Sequence, residues 1–202
     1  MNEQQQLLTR FLMAPSQQYD KSHKRRIDHH FNDDINFKPA AVLIPLVPRK
    51  QGFNVVLTRR AEHLKHHPGQ IAFPGGRFED TDNDLITTAL RETYEETGII
   101  CQRNNVIGQL TPLATTSGYI VTPFISTISS NYSAKPDPGE VDAIFEVPLN
   151  YLLDPQNIKS HQFHLRGEFH RVYAIPYNNY SIWGATAQMI KLLSNQIWED
   201  KK

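Results

Sequence analysis

The chain has 202 residues, 39% hydrophobic and 21% charged, which is enough apolar material for one packed domain and no general signature of disorder. Lys+Arg and Asp+Glu both number 21, so the balanced charge gives no polybasic field for nucleic acid or for an acidic membrane. One cysteine, Cys101, excludes an intrachain disulfide framework and a multi-thiolate metal site. With no run near the roughly 20 apolar residues of a membrane helix and no signal-peptide pattern, a soluble, cytoplasmic protein is expected.

Leu7, Leu8, Phe11 and Leu12 fall at helical spacing and predict a short amphipathic helix ending before Pro15. A polar stretch of mixed charge follows, in which Lys21, Lys24, Arg25 and Arg26 either meet phosphates or belong to a solvated linker; the linker is the expectation. After Pro39, residues 40–47 form an apolar run of strand type, joined by the turn PRKQG to a second strand over 53–58. From 82 to 97 the period becomes helical, with Leu85, Ile86, Ala89, Leu90 and Tyr94 on one side and Gly98 as the stop. Strands are predicted over 105–113, 121–128, 143–147 and 169–175, and a last helix over 184–196. Strands before, between and after two helices predict an α/β fold, a mixed sheet with helices packed on its faces.

The chemistry concentrates in residues 69–100, GQIAFPGGRFEDTDNDLITTALRETYEETGII. Glu92, Glu95 and Glu96 sit at i, i+3 and i+4 and span an arc of roughly 100° beside the apolar stripe. Carboxylates so placed repel. Either they are a solvated acidic face, or a hard divalent cation such as Mg²⁺ or Mn²⁺ offsets the repulsion. Gly75 and Gly76 after Pro74 allow a turn whose backbone approaches a helix or a ligand closely. Asp80 and Asp82 lie where the helix begins, suited to its dipole and to capping its free N–H groups. Arg91 is either a surface arginine or the bond from helix to one of these aspartates. His63, His66 and His67 have a metal-type spacing, but Pro68 and Gly69 break any helix there, so zinc is not expected. Cys101, with no partnered His or Asn motif nearby, reads as a half-buried small residue and not a nucleophile.

Residues 91–99, RETYEETGI, match the REUxEExGU half of the Nudix box, U being a bulky apolar residue, so the chain resembles the Nudix hydrolase superfamily. The glycine half matches with two departures: the loop from Gly76 to Arg91 is one residue longer than the general pattern, and Asp82 stands in place of Glu. Upstream, LTRRAEHLKHHPGQIAFPGG over 57–76 is similar to the second signature of the coenzyme A pyrophosphatase branch, with Lys65 where many members carry Arg. Further similarity in SGYIVTPF, GEVDAIFEVPL, HRV and WGATA extends the resemblance over about residues 38–197.

The resemblance implies a Nudix fold, a mixed β-sheet sandwiched between α-helices, over 38–202, preceded by a helix and polar linker over 1–37. It implies Mg²⁺ or Mn²⁺ held by Glu92, Glu95 and Glu96, and attack of water on coenzyme A to give 4′-phosphopantetheine and adenosine 3′,5′-bisphosphate. Arg91 would support the glutamate helix. The general base would be Glu95 or Glu96 acting on water held by the ions, or Glu140 from a later loop, which otherwise reads as an exposed carboxylate. Arg60, Lys65 and His67, with Gly75 and Gly76, are the candidates for substrate contact; Arg77, His170 and Arg171 are further cationic candidates. Other readings stay open: a Nudix pyrophosphatase for ADP-ribose or NADH, and a silent nucleotide-binding module. The implied partner is a small molecule, with neither nucleic acid nor membrane; monomer and homodimer are both left open.

Overall fold

A computed structural model describes residues 3–19, 23, 36–165 and 168–198. In chain order it contains α1 (Glu3–Met13), β1 (Lys38–Arg49), β2 (Gly52–Arg60), β3 (Ile71–Ala72), β4 (Gly75–Arg77) and α2 (Leu85–Thr97). A 3-10 turn (Arg103–Asn105) leads into β5 (Val106–Gln109), β6 (Leu113–Ala114), β7 (Tyr119–Thr127) and β8 (Val141–Pro148). The last part holds α3 (Leu149–Leu153), β9 (Lys159–Leu165), β10 (Glu168–Tyr177), β11 (Tyr180–Trp183) and α4 (Ala185–Trp198).

The described strands form two sheets. In the larger, the path runs β3-β2-β1-β7-β5, with β4 also on β1, β6 on β7 and β8 on β2. The β1–β7 pair is parallel from Lys38↔Tyr119 to Leu46↔Thr127, while β2, β4, β5 and β8 pair antiparallel, so the sheet is mixed as expected. The smaller sheet is the antiparallel meander β11-β10-β9. The unbroken apolar run of β1 follows from its position, because both of its faces are covered. Ala41 and Leu43 meet Ala89 of α2 and Phe124 on one face. Ile44 and Leu46 join the main core on the other, with Ile190 and Leu193 of α4 and Phe11 of α1. Helices therefore lie on both faces of the sheet.

The structure departs from the sequence expectations at identifiable places. Helix α2 begins at Leu85 instead of 82, because Asp84 is its cap: the Asp84 carboxylate accepts from Thr87 N–H at 2.8 Å. Asp80 and Asp82 therefore do not cap it. Tyr94, expected on the apolar side, is 58% exposed. Gly98 does end the helix, at φ 68° with its N–H donating to Tyr94 O. The strand expected over 105–113 is a 3-10 turn and two short strands, interrupted around Pro112, which has no N–H for a ladder. Strands β3, β4, β9 and β11 and helix α3 were not anticipated. The basic residues Lys21, Lys24, Arg25 and Arg26 lie outside the described residues. Among the described residues, no helix is long and apolar enough to cross a membrane.

Candidate active site

The site forms where one end of β1 meets α2. Strand β4 pairs with β1 through Ala40↔Arg77 and Val42↔Gly75, which brings the glycine turn under the glutamate face of the helix. Gly75 is required by contact with backbone, and Gly76 leaves the Glu92 carboxylate in place. Gly75 has φ 153°, and a Cβ there would stand 2.3 Å from Ala41 O; a Cβ on Gly76 would stand 2.4 Å from Cδ of Glu92. In return Gly75 N–H donates to Glu96 Oε2 at 3.2 Å.

The three glutamates occupy three different environments. The Glu95 side chain is 55% exposed, that of Glu92 is 15% exposed, and that of Glu96 is 5% exposed. Burial pushes the Glu96 carboxyl up to about 8 and outweighs the Gly75 N–H and the Arg60 charge, both of which favour ionisation. Burial likewise raises Glu92, and the neighbouring Glu95 and Glu140 charges act in the same direction. Glu140 reaches the site because its loop hangs on the end of α2. Lys135 N–H donates to Thr97 O, Asp137 N–H donates to Glu96 O, and Ala61 N–H donates to Glu140 O.

Arg91 ties these parts together. Its Nε and Nη2 each lie 2.9 Å from an Asp82 oxygen, a two-point pair with a carboxylate whose side chain is 2% exposed. Nη1 lies 2.9 Å from both Glu92 and Glu95, and Nη2 also donates to Arg77 O. Asp82 further accepts from Glu79 N–H and Thr88 Oγ1, and the Arg91 guanidinium holds its carboxyl down at about 2. Asp80 is exposed and takes no part.

Arg60, Gly75, Gly76, Arg91, Glu92, Glu95, Glu96 and Glu140 all line one cavity of about 520 Å³, together with Arg77 and Tyr119. A second cavity, about 330 Å³, shares Val42, Arg60, Gly75 and Val121 with the first and adds His67 and Gln70. Lys65 is exposed on the loop and lines neither; Arg171, half-buried on β10, lines neither as well. The side chain of His170 lies outside the described residues. His67 has φ 55° in a loop with no helix, so the histidine trio does not share a helical face. Cys101 is half-buried, with its thiol pushed up to about 11 by burial, which disfavours the nucleophilic thiolate. Tyr119 is a lining residue that sequence reasoning passed over; its only signal was its place in SGYIVTPF.

As they stand, no three acidic, histidine or cysteine side chains among the described residues converge on one ion position. Arg91 Nη1 lies between the Glu92 and Glu95 carboxylates. The donor set nevertheless fits a hard divalent cation. It is all oxygen, it faces an open cavity, and the buried Glu96 carboxyl is one whose ionised form a cation would favour.

The family model described as NUDIX domain matches residues 37–167. The chain belongs to the Nudix family. It is 42% identical over 169 residues to the protein called "Uncharacterized Nudix hydrolase NudL" of Yersinia pestis (strain Pestoides F), covering 84% of this chain and 83% of that one. The NudL protein of Yersinia pseudotuberculosis serotype O:1b (strain IP 31758) matches to the same extent. Among solved structures, the MutT protein of Methanosarcina mazei Go1 superposes with TM-score 0.53 at 18% identity, over 84% of this chain and all (100%) of that one. A MutT/nudix family protein of Enterococcus faecalis gives TM-score 0.55 at 14% identity, over 100% of this chain and 76% of that one. These two structures show the shared fold. The chain is thus a Nudix hydrolase, an enzyme acting on a pyrophosphate-containing substrate, in a family that generally uses divalent metal ions.

Proposed function

We propose that this Nudix hydrolase cleaves the diphosphate of coenzyme A with Mg²⁺ or Mn²⁺ as cofactor. Water adds to one phosphorus, the bridging P–O bond breaks, and the products are 4′-phosphopantetheine and adenosine 3′,5′-bisphosphate. The observation that carries the reading is where the upstream segment lies. Residues 57–76, whose pattern is similar to the coenzyme A pyrophosphatase branch, form a wall of the carboxylate cavity through Arg60, Gly75 and Gly76.

Glu92, Glu95 and Glu96 would hold the cation, which when bound neutralises the diphosphate and acidifies a water molecule. Arg60, with its Nη1 3.8 Å from Glu96 Oε1 and at the junction of both cavities, is proposed to hold the diphosphate itself. Arg91 positions Glu92 and Glu95 against the Asp82 anchor. Glu140 and Glu95, both exposed on the cavity rim, are the candidates to accept the proton of the attacking water.

The test is metal dependence combined with two isosteric changes. Chelation should abolish hydrolysis of coenzyme A, and added Mg²⁺ or Mn²⁺ should restore it. Glu95→Gln and Glu96→Gln should each lower kcat by on the order of 10²-fold or more with the fold intact by circular dichroism. Undiminished turnover in either variant would remove that residue from the site.

A further inference from the structure

The carboxylate cavity does not end at Arg60. It continues through Val42, Arg60, Gly75 and Val121 into the second cavity, and that one shares Thr115, Thr116, Trp183, Gly184 and Ala185 with a third of about 230 Å³. The result is one groove leading away from the glutamates. Its two walls come from distant segments joined directly, since Thr186 Oγ1 donates to Ile71 O at 3.0 Å. Gln70 packs over Gly184, its Nε2 3.3 Å from where a Cβ on that glycine would stand.

The lining changes abruptly along this path. The first cavity is bounded by five glutamates and three arginines. Beyond Arg60, no Asp, Glu, Lys or further Arg lines the groove among the described residues; only His67 and, at the far end, His23 are titratable. Phe73, Ala185 and Met189 offer apolar surface, while the Gln70 amide and the Thr115 and Thr116 hydroxyls supply isolated polar groups. Trp183 is 47% exposed and lines both the second and third cavities. An anionic group placed here would lose its hydration without gaining a cation, and that is costly. An uncharged chain with occasional amides meets no such penalty.

The geometry points to this groove as the subsite for a long, uncharged, amide-bearing arm of the substrate beyond the diphosphate, with Trp183 a specificity-determining residue at its middle. The inference rests on the coenzyme A reading and deepens it. The pantetheine arm runs along Gln70 and Trp183, which leaves the nucleotide half, with its 3′-phosphate, to the first cavity, lined also by Arg77 and Tyr119. The continuation past Trp183 leaves room for a substituent on the thiol.

The experiment compares kcat and KM for coenzyme A and for ADP-ribose in wild type, Trp183→Ala, Trp183→Phe and Ser117→Trp, the last adding bulk at the exposed rim of the groove. The ratio of the two kcat/KM values, coenzyme A over ADP-ribose, should fall about 10- to 100-fold in Trp183→Ala, the worth of one buried aromatic contact, with the loss mainly in KM. Trp183→Phe should retain most of the ratio, and Ser117→Trp should lower it. Equal losses on both substrates, or an unchanged ratio in Trp183→Ala and Ser117→Trp, would overturn the groove assignment while the coenzyme A reading stands. A wild-type protein that leaves coenzyme A uncut would overturn that reading, and the assignment of this arm with it.

Discussion

Arg91 and Asp82 carry more of the site than their surface count suggests. One guanidinium makes a two-point pair to a buried carboxylate, contacts two glutamates and reaches the carbonyl of Arg77. Removing it leaves the Asp82 carboxylate, 2% exposed, without a cation and with only Glu79 N–H and Thr88 Oγ1 as donors, a defect that costs about 3–5 kcal/mol. Arg91→Ala should therefore destabilise strongly and weaken Mg²⁺ or Mn²⁺ binding. A double-mutant cycle with Asp82→Ala by urea unfolding should show coupling above about 1 kcal/mol; a coupling near zero would mean that the pair does not hold the loop. A bond from Arg91 to Asp80 or Asp82 was legible in the sequence as one of two readings, beside a surface arginine, and the fold selects Asp82. The helix cap was not legible. In DTDND several acidic positions satisfy the same rule, and only the fold selects Asp84, which Arg103 also engages. The placement of Glu140 beside Glu96 depends on the contact between Ala61 and Glu140, which local pattern does not encode.

At the scale of elements, long segments with one dominant period were readable and short or locally polar ones were not. Helix α2 and strands β1, β2, β7, β8 and β10 announce themselves by their apolar runs or helical period. Strands β3 and β4 have two and three residues and exist because β2 and β1 supply their partners. Strand β9, KSHQFHL, has too few apolar positions to signal itself and is defined by pairing with β10. Polar side chains also join strands. Glu146 on β8 accepts from Arg49 of β1, Asn54 of β2 and the Tyr132 hydroxyl, and the Arg49 guanidinium foremost holds its carboxyl down at about 2. A carboxyl lowered from 4.5 in the folded state stabilises the protein above its unfolded value, and that contribution is lost as pH falls through the folded one. The urea midpoint of the wild type should therefore drop between about pH 4.5 and pH 2 more steeply than that of Glu146→Gln. Parallel curves through this window would show that the cluster adds nothing.

For the molecule as a whole, the helix before the Nudix match is part of the packing. Phe11 is 5% exposed within the main core, Gln196 Nε2 donates to Phe11 O, and Thr111 Oγ1 donates to Gln17 O. Phe11→Ala should cost about 3–5 kcal/mol by denaturant unfolding; a cost under about 1 kcal/mol would mean that α1 is only loosely applied. The sheet between two helical layers was readable from the order of periods, and the glutamate face from its spacing. What spacing alone could not convey is that β4, the 135–140 loop and Arg60 converge on that face and that a charge-poor groove leads away from it. The substrate is decided by mass spectrometry of the products formed from coenzyme A, dephospho-coenzyme A, ADP-ribose and NADH at equal concentration with Mg²⁺ or Mn²⁺. Coenzyme A should give 4′-phosphopantetheine and adenosine 3′,5′-bisphosphate, formed faster than the products of the other three; a highest kcat/KM for ADP-ribose or NADH would overturn the coenzyme A reading.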